Sequence, residues 1–197
     1  MKKNYLNQLI LQLNSVSRVC AMENAPQSQK LIKQIIDSIR YRTGREGQLL
    51  KIREEIAAAK NLLGMLQFRY GDILKYTIAY SQEDLNIYVP HYTIMTFVEN
   101  SIYHAFENRE GTWEVGVILS QTEDTLKIIV KDNGNGFEPE KYLKLPESSC
   151  DYGTIKSTTI RLLECFGADG IVSINSSKTS GTEVVISIPK QGEGDGC

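Results

Sequence analysis

The spacing of apolar residues changes along this sequence, and the change limits the folds that the chain can adopt. In residues 3–22 apolar side chains recur every three or four positions, which is the period of an amphipathic helix. The same spacing fills residues 26–44 and about 51–70, and Pro26 suits a first helical turn, where its missing N–H costs nothing. Beyond residue 73 the apolar runs are short and rich in β-branched residues, which indicates strands. We predict strands at 73–80, 113–119, 126–130, 170–174 and 184–188, with helices at 91–106 and 154–166.

These elements predict an α+β protein in which helices cover one face of a mixed sheet. The length of 197 residues suits one large domain or two small ones. We assign residues 1–72 to a helical region, residues 73–190 to a second domain and residues 191–197 to a disordered tail. The apolar stripes of residues 6–39 are wide and need a partner. The helical region is therefore predicted to form a homodimer through a four-helix bundle.

Charge is distributed unevenly, although the formal net charge is only -2. Residues 1–80 carry 13 Lys and Arg against 6 Asp and Glu, whereas residues 81–197 carry 9 against 18. The basic residues of the first part are scattered and form no stripe, so we predict no nucleic-acid partner. No apolar run approaches the roughly 18–20 residues that cross a bilayer. The sequence therefore predicts no membrane segment in this chain and a cytoplasmic location.

The first of three polar clusters lies on the predicted helix at 91–106. Asn100 and His104 are four residues apart and share a helix face, with Glu99 one position round. Carboxylate and amide oxygens suit a hard cation, so this cluster could hold Mg²⁺ together with phosphate groups. A polar helix face in contact with water explains the same pattern equally well.

The second cluster follows the strand at 126–130 and reads Asp-Asn-Gly-Asn-Gly-Phe from Asp132. Gly134 and Gly136 permit a positive φ and close approach of the backbone to a ligand. The Asp132 carboxylate can accept a hydrogen bond from an adenine amino group. Taken alone, the cluster also fits a hairpin turn, because Asn-Gly is a common turn sequence, and its spacing to the next acidic residues fits no EF-hand. The third cluster, residues 180–183, is by itself only a turn.

In this order and at these spacings, the clusters resemble the N, G1 and G3 boxes of the nucleotide-binding superfamily that includes DNA gyrase, heat-shock chaperones, MutL and histidine kinases. More narrowly, the chain resembles the LytS/YehU-type sensor histidine kinases, whose N box reads like P-x-x-L-x-P-L-V-E-N-A-I-x-H-G. The similarity covers about residues 4–190. The matching residues are Pro90, Val98, Glu99, Asn100, Ile102 and His104 in the N box, with Arg40, Tyr41, Glu55, Arg69 to Asp72, Arg161, Leu162, Gly167 and Gly181 to Pro189 elsewhere.

The resemblance implies a dimerisation region followed by a Bergerat-type, GHKL-class α/β sandwich that binds ATP and Mg²⁺. It implies that Asn100 binds the metal, that Glu99 polarises a water or proton near the γ-phosphate, and that His104 approaches the phosphates. Asp132 would recognise adenine. The other implied nucleotide contacts are Thr182 through a water, Gly134, Gly136 and Gly181. Gly153, in a mobile lid at residues 137–154, and Lys156, just after that lid, are also implied contacts.

Two departures from the family pattern bear on function. The family's phosphate-accepting histidine aligns with Asn7, whose amide is not nucleophilic enough to take a phosphoryl group, and no histidine precedes His91. Autophosphorylation at the usual position is therefore excluded for this chain. The lid has lost one glycine, and Ser157 stands where the family has asparagine. The acidic residues of the lid repel phosphates unless a lysine such as Lys156 intervenes, so we predict weakened ATP binding.

Three functions remain open at this point. The first is the ATP-binding catalytic region of a two-component sensor histidine kinase, which transfers phosphate to a histidine of a partner kinase. The alternative is a pseudokinase that regulates a partner kinase or response regulator through binding and dimerisation. The preserved Glu99, Asn100 and Asp132 favour the first function over this alternative. A small ATPase or serine kinase similar to anti-sigma factors fits less well, because the helical region resembles a dimerisation region. Within this family, the chain would be the cytoplasmic part of a membrane-anchored sensor.

Overall fold

Two long helices form the start of the chain. The computed structural model describes residues 2–44, 48–106, 110–140, 154–167 and 171–190. Helix α1 spans Lys2–Met22 and helix α2 spans Pro26–Gly44, so both predicted helices form. The short turn between them places Asn24 at φ 54°, a left-handed conformation that asparagine tolerates. The two helices pack side by side as a hairpin.

A third helix connects this hairpin to the rest of the molecule. Helix α3 spans Ile52–Tyr70 and ends at Gly71, whose positive φ of 58° suits a helix terminus. Strand β1, Leu49–Lys51, precedes it and pairs antiparallel with strand β3, Tyr88–Pro90. The sequence analysis did not predict this two-stranded sheet. Three-residue strands are too short to show an alternating pattern.

The larger sheet is mixed, as predicted. Its strand order is β2-β4-β5-β7-β6 within the described ranges. Strands β2 and β4 run parallel, and the other neighbours run antiparallel. A parallel pair requires a crossover between its strands, and the N-box residues lie in that crossover. The strands are Leu74–Ala79 (β2), Trp113–Gln121 (β4), Thr125–Asp132 (β5), Ile171–Ser177 (β6) and Gly181–Pro189 (β7).

One face of this sheet carries the core. Along β5, Leu126, Ile128 and Val130 are buried, whereas Lys127 and Lys131 are exposed. Helix α3 contributes Ile52, Ile56, Leu62 and Leu63 to the same core. The division of the chain at residues 72 and 73 stays a prediction. The other core residues of the sheet include Leu74, Val115, Val117, Leu119, Val184, Ile186 and Ile188.

Two further helices lie against the buried face of the sheet. Helix α4 spans Met95–Asn100 and continues as a π-helical turn over Ser101–Ala105, so the predicted helix at 91–106 begins four residues late and changes its winding. Helix α5 spans Ile155–Phe166. Within the described residues, no helix combines the length and hydrophobicity that a bilayer span requires. The predicted tail at 191–197 lies outside the described residues.

Candidate nucleotide-binding site

A cleft lies between the α4 segment and the ends of strands β5 and β7. It encloses about 540 Å³ of space, including the part open to solvent. Its lining is mainly apolar, with a few polar side chains that converge on it. The lining residues are Phe97, Asn100, Ser101, His104, Ala105, Val130, Asp132, Gly136, Phe137, Ile155, Thr182 and Val184.

Asp132 is the buried carboxylate of the cleft. It continues the inward-facing alternation of β5, so a charged group occupies a position that would otherwise be part of the core. Its Oδ1 accepts hydrogen bonds from the N–H groups of Gly134 at 2.9 Å and Thr182 at 3.3 Å. Its Oδ2 accepts from the Ser101 hydroxyl at 2.7 Å. These three donors compensate the burial of the carboxylate and fix its orientation.

Ser101 is a cleft residue that the sequence analysis missed. It is buried, and its hydroxyl reaches both Asp132 and the Phe97 carbonyl, the latter at 3.0 Å. A hydroxyl has one proton, so it can donate fully to only one of these acceptors at a time. The available signal was that serine stands where the quoted N box has alanine. In the structure the serine hydroxyl contacts Asp132 at the base of the cleft, a polar contact that alanine could not make.

Asn100 and His104 both reach the cleft, as their spacing predicts. Asn100 donates its Nδ2 to the Thr96 carbonyl at 2.7 Å, which leaves the amide oxygen as the atom that can bind a cation. His104 lies in the π-helical turn and is exposed. Wide turns of this kind occur frequently at functional sites. Within the described residues, no group of three or more His, Cys, Asp or Glu side chains could hold a metal ion alone.

Glu99 has a different environment from Asn100. Its Oε1 accepts a hydrogen bond from Arg42 Nη2 at 2.8 Å, and the two side chains are 20% and 45% exposed. Burial raises the pKa of Glu99 above its ordinary value, and the Arg42 guanidinium acts in the opposite direction. Among the described residues that line the cleft, Glu99 is absent. The predicted catalytic carboxylate therefore pairs with the helical hairpin.

Thr182 lies directly opposite Asp132 in the β5–β7 pair. Its hydroxyl is 2.9 Å from that of Ser176, which also accepts the Phe137 N–H at 2.9 Å. Sequence analysis did not identify Ser176, because its approach to Thr182 depends on the pairing of β6 with β7. The hydroxyls of β6 and β7 thus form a polar edge beside the buried carboxylate.

The predicted glycines are required by contacts within the protein. A Cβ on Gly134 would lie 2.2 Å from the Ala105 Cβ. Gly136 and Gly181 have φ values of 61° and 77°, and a Cβ on either would lie 2.1 Å from a backbone oxygen. These residues allow the loop after β5 to pack against the α4 segment and the β6–β7 turn. Their predicted contacts with a nucleotide stay predictions.

Replacing Gly134 by alanine should destabilise the fold. The new methyl group would also lie 2.7 Å from the Ala105 carbonyl oxygen, so the loop or the π-helical turn must move. We expect a loss of about 2–3 kcal/mol in the free energy of unfolding, measured by urea denaturation. Gly64→Ala is the matched control, because its nearest neighbour is the flexible end of Gln34 at 3.1 Å and helical alanine is favoured. Equal stability of the two variants would contradict the close contact.

The lid predictions fall mostly outside the described residues. Gly153 and residues 141–152 belong to this part of the chain. Lys156 is in the first turn of α5 and does not line the cleft as described. Ser157 forms a capping box with Thr154: each side chain accepts the other residue's N–H, at 3.1 Å and 3.2 Å. Serine at this position therefore has a structural role at the start of α5.

A buried carboxylate on α3 organises the start of the N-box segment. Glu55 accepts the N–H groups of Tyr92 at 2.9 Å, Ile94 at 2.8 Å and Met95 at 3.3 Å, and the Tyr41 hydroxyl also donates to it. Burial raises the pKa of Glu55, although all four donors favour its charged form. These bonds support Tyr92 at φ 70°, a rare conformation for a residue other than glycine. Glu55 thus ties α3 to α4.

Sequence comparison finds that this chain is similar to bacterial sensor proteins. The chain is 28% identical over 187 residues to the sensor protein LytS of Bacillus cereus and 26% identical over 190 residues to that of Enterococcus faecalis, in each case over 91% of its length. This chain resembles the LytS sensor proteins. It spans 31–32% of the length of these two relatives. No protein-family model matches the sequence.

Solved structures show the same fold for the LytS-like chain. The catalytic domain of histidine kinase ThkA, in a nucleotide-free form, superposes with a TM-score of 0.53 and 15% identity, covering 74% of this chain and 98% of that domain. A second crystal form gives a TM-score of 0.52 with 14% identity, covering 73% and 97%. The predicted α+β class and histidine-kinase-like sandwich are therefore confirmed. At this identity the likeness concerns the fold alone.

Proposed function

We propose that this LytS-like chain is the ATP-binding catalytic region of a two-component sensor histidine kinase whose own acceptor position is degenerate. The observation that carries the proposal is the convergence of Asn100, His104, Asp132 and Thr182 on one cleft. These residues come from three separate segments of the sequence. The similarity to proteins named as sensor histidine kinases supports phosphoryl transfer as the chemistry.

Adenine recognition is assigned to the inner end of the cleft. The Asp132 carboxylate has acceptor capacity beyond its three protein donors, so it can accept a hydrogen bond from an adenine amino group. Guanine has no donor at that ring position and would be rejected. Phe97, Val130 and Val184 supply the apolar surface that a purine ring requires. Thr182 extends the polar edge on which the base would rest.

Phosphate and Mg²⁺ binding are assigned to the outer end. Asn100 offers its amide oxygen, and the triphosphate would supply further oxygen ligands, since Mg²⁺ is usually held by few protein groups and the substrate phosphates. The ion neutralises charge on the transferring phosphoryl group when bound. His104, which lines the cleft, would approach the phosphates. Glu99 would hold the proton or water at the γ-phosphate. In such reactions positioning and charge neutralisation contribute most of the catalysis.

The acceptor of the phosphoryl group is proposed to be a histidine of another chain, such as a partner kinase. Asn7, which aligns with the family's acceptor, is exposed on α1. A response regulator is the expected next partner. The cytoplasm is the compartment that this function implies, with the chain as the cytoplasmic part of a membrane-anchored sensor.

Titration calorimetry with Mg·ATP and Mg·GTP tests the proposal. We expect saturable binding of Mg·ATP with a dissociation constant above 1 µM, as the departures in the lid predict, and no binding of Mg·GTP at the same concentrations. No heat and no thermal stabilisation at millimolar Mg·ATP would overturn nucleotide binding. That outcome would support the alternative, a pseudokinase that acts through its helices. Submicromolar affinity would contradict the interpretation of the lid.

The helical hairpin is proposed to mediate homodimerisation. Several apolar side chains of α1 are exposed, including Leu11 at 66% and Met22 at 83%. Tyr5, Val16 and Val19 are also exposed. An apolar face of this extent on a helix normally packs against a partner. Two hairpins joined through α1 would give the predicted four-helix bundle.

Leu11→Glu should disrupt the dimer. A charge placed in an apolar helix interface is costly, and we expect the dissociation constant of the dimer to rise about 100-fold. Light scattering at tens of micromolar should give twice the chain mass of 22.2 kDa for the wild type and the single chain mass for Leu11→Glu. Ala57→Glu, which adds the same charge at an exposed position of α3, should remain dimeric. A monomeric wild type would contradict dimerisation.

A further inference from the structure

The last turn of α2 contacts the N-box segment at two places. Tyr41 donates its hydroxyl to Glu55 and accepts the Tyr92 N–H at 3.3 Å, just before α4 begins. The next residue, Arg42, pairs with Glu99 near the other end of α4. Two consecutive residues of the hairpin therefore contact both ends of the helix that carries the predicted catalytic carboxylate. A rotation or shift of α2 moves both contacts together.

The Arg42 contact determines where the Glu99 carboxylate lies. The separation of 2.8 Å is that of a charge-assisted hydrogen bond. The Tyr103 side chain, one turn further along the segment, also favours the charged form of Arg42 and so raises its pKa. The adjacent Asn100 lines the cleft, whereas the described lining does not include Glu99. Arg42 thus holds Glu99 towards α2, while the adjacent Asn100 faces the proposed nucleotide position.

We propose that Arg42 is a positioning residue whose ion pair with Glu99, here called the Arg42 latch, keeps the carboxylate away from the γ-phosphate until α2 moves. The proposal rests on the function proposed above. The helical hairpin then controls the chemistry directly, through one side chain, in addition to any role in dimerisation. In the latched state nucleotide binding is intact, because Arg42 and Glu99 line none of the described cleft.

The Arg42 latch differs from the ion pair that the nearby Arg40 makes. Arg40, two residues earlier on α2, pairs with Asp37 at 3.8 Å on the same helix, with both side chains more than half exposed. That contact is a surface ion pair between residues three positions apart in one helix, so it does not connect two separate elements of the structure. The Arg42 contact joins residues 57 positions apart in the sequence. Arg40 therefore provides a control that removes the same charge from the same helix.

Basal hydrolysis of ATP reports the state of the latch without a partner chain. A water oxygen forms a bond to the γ-phosphorus, the bond from that phosphorus to the β–γ bridging oxygen breaks, and the water proton passes to Glu99. ADP and inorganic phosphate leave. A positioned general base contributes typically 10²- to 10⁴-fold to such a step. Release of Glu99 from Arg42 should therefore raise the turnover number and leave the Michaelis constant unchanged.

The test compares Arg42→Met, Arg42→Lys and Arg40→Met in the full chain. We expect ADP formation at saturating Mg·ATP to rise about tenfold in Arg42→Met, with KM within about twofold of wild type. Arg42→Lys should restore most of the restraint, and Arg40→Met should match the wild type. Adding Glu99→Gln to Arg42→Met should remove the gain.

Several outcomes would overturn the latch. Unchanged or reduced turnover, with Mg·ATP still bound, would show that the pair does not restrain the chemistry, and the proposed function would stand. A gain that survives Glu99→Gln would place the effect elsewhere. Loss of Mg·ATP binding in the wild type would overturn both the proposed function and the latch.

Discussion

Asp132→Asn is expected to weaken Mg·ATP binding by about 10- to 100-fold while the fold survives. The amide oxygen can replace Oδ1, which accepts two backbone N–H groups, from Gly134 and Thr182. The amide nitrogen then takes the place of Oδ2, where Ser101 can turn and act as the acceptor. An adenine amino group would meet a second donor there instead of an acceptor. An unpaired donor costs about 1–3 kcal/mol, and 1.4 kcal/mol is tenfold in affinity.

Calorimetry and thermal denaturation together check this prediction. The heat of Mg·ATP binding should disappear in Asp132→Asn, and the free energy of unfolding should fall by only about 1 kcal/mol. Asp124→Asn makes the same chemical change at an exposed position in the β4–β5 turn and should bind as the wild type does. Affinity within threefold of wild type in Asp132→Asn would assign adenine recognition to another group.

Glu55→Gln should produce the largest loss of stability, about 3 kcal/mol. A glutamine supplies one acceptor oxygen, whereas the carboxylate accepts three N–H groups and the Tyr41 hydroxyl. Its amide nitrogen would face one set of these donors, which then lack a partner in a fully buried site. In a chain of this size each kcal/mol shifts Tm by about 2–4 °C. We therefore expect a fall of about 10 °C, with Glu164→Gln on the exposed face of α5 as the control.

The pH dependence of this loss follows from the direction of the pKa shift. Burial raises the pKa of Glu55 in the folded state above its ordinary value of 4.5. At pH values between the unfolded-state pKa and the higher folded-state pKa, the folded protein therefore binds a proton more readily than the unfolded chain. That contribution to stability is complete below the unfolded pKa and is lost as the pH rises through the folded pKa. The gap in unfolding free energy between wild type and Glu55→Gln should narrow as the pH rises from 4.5. A gap that widens would show that the N–H donors outweigh burial.

The sequence predicted those parts of the fold that depend on local periodicity. Helices α1, α2 and α3 have regular apolar stripes, and their observed bounds differ from the predicted ones by about a residue. The prediction for the N-box segment was less accurate, because the start of its helix depends on a residue that is distant in the sequence. Glu55 bonds the backbone of residues 92–95, and the helix begins only at Met95. A contact between residues nearly 40 positions apart does not affect the local spacing of apolar residues, so that spacing could not predict it.

The sequence predicted those residues of the candidate site that the order and spacing of the three polar clusters identify. Asn100, His104, Asp132 and Thr182 do meet at one cleft. The environment of Glu99 was not predictable, because Arg42 lies 57 positions earlier and the intervening chain decides whether they meet. Ser101 was missed for a related reason. Its hydroxyl matters only because the pleat of β5 turns Asp132 towards α4.

The strand order has a consequence for the synthesis of this protein. Strand β7 is the last of the described strands in sequence, yet it lies inside the sheet between β5 and β6. It supplies the Thr182 N–H that Asp132 accepts and the Gly181 backbone that packs against residue 132. While β7 is still within the ribosome, the emerging chain has an incomplete sheet and an unsupported carboxylate. The proposed nucleotide site is therefore complete only after β7 has left the ribosome, so we expect that nucleotide does not assist the folding of the strands made before it.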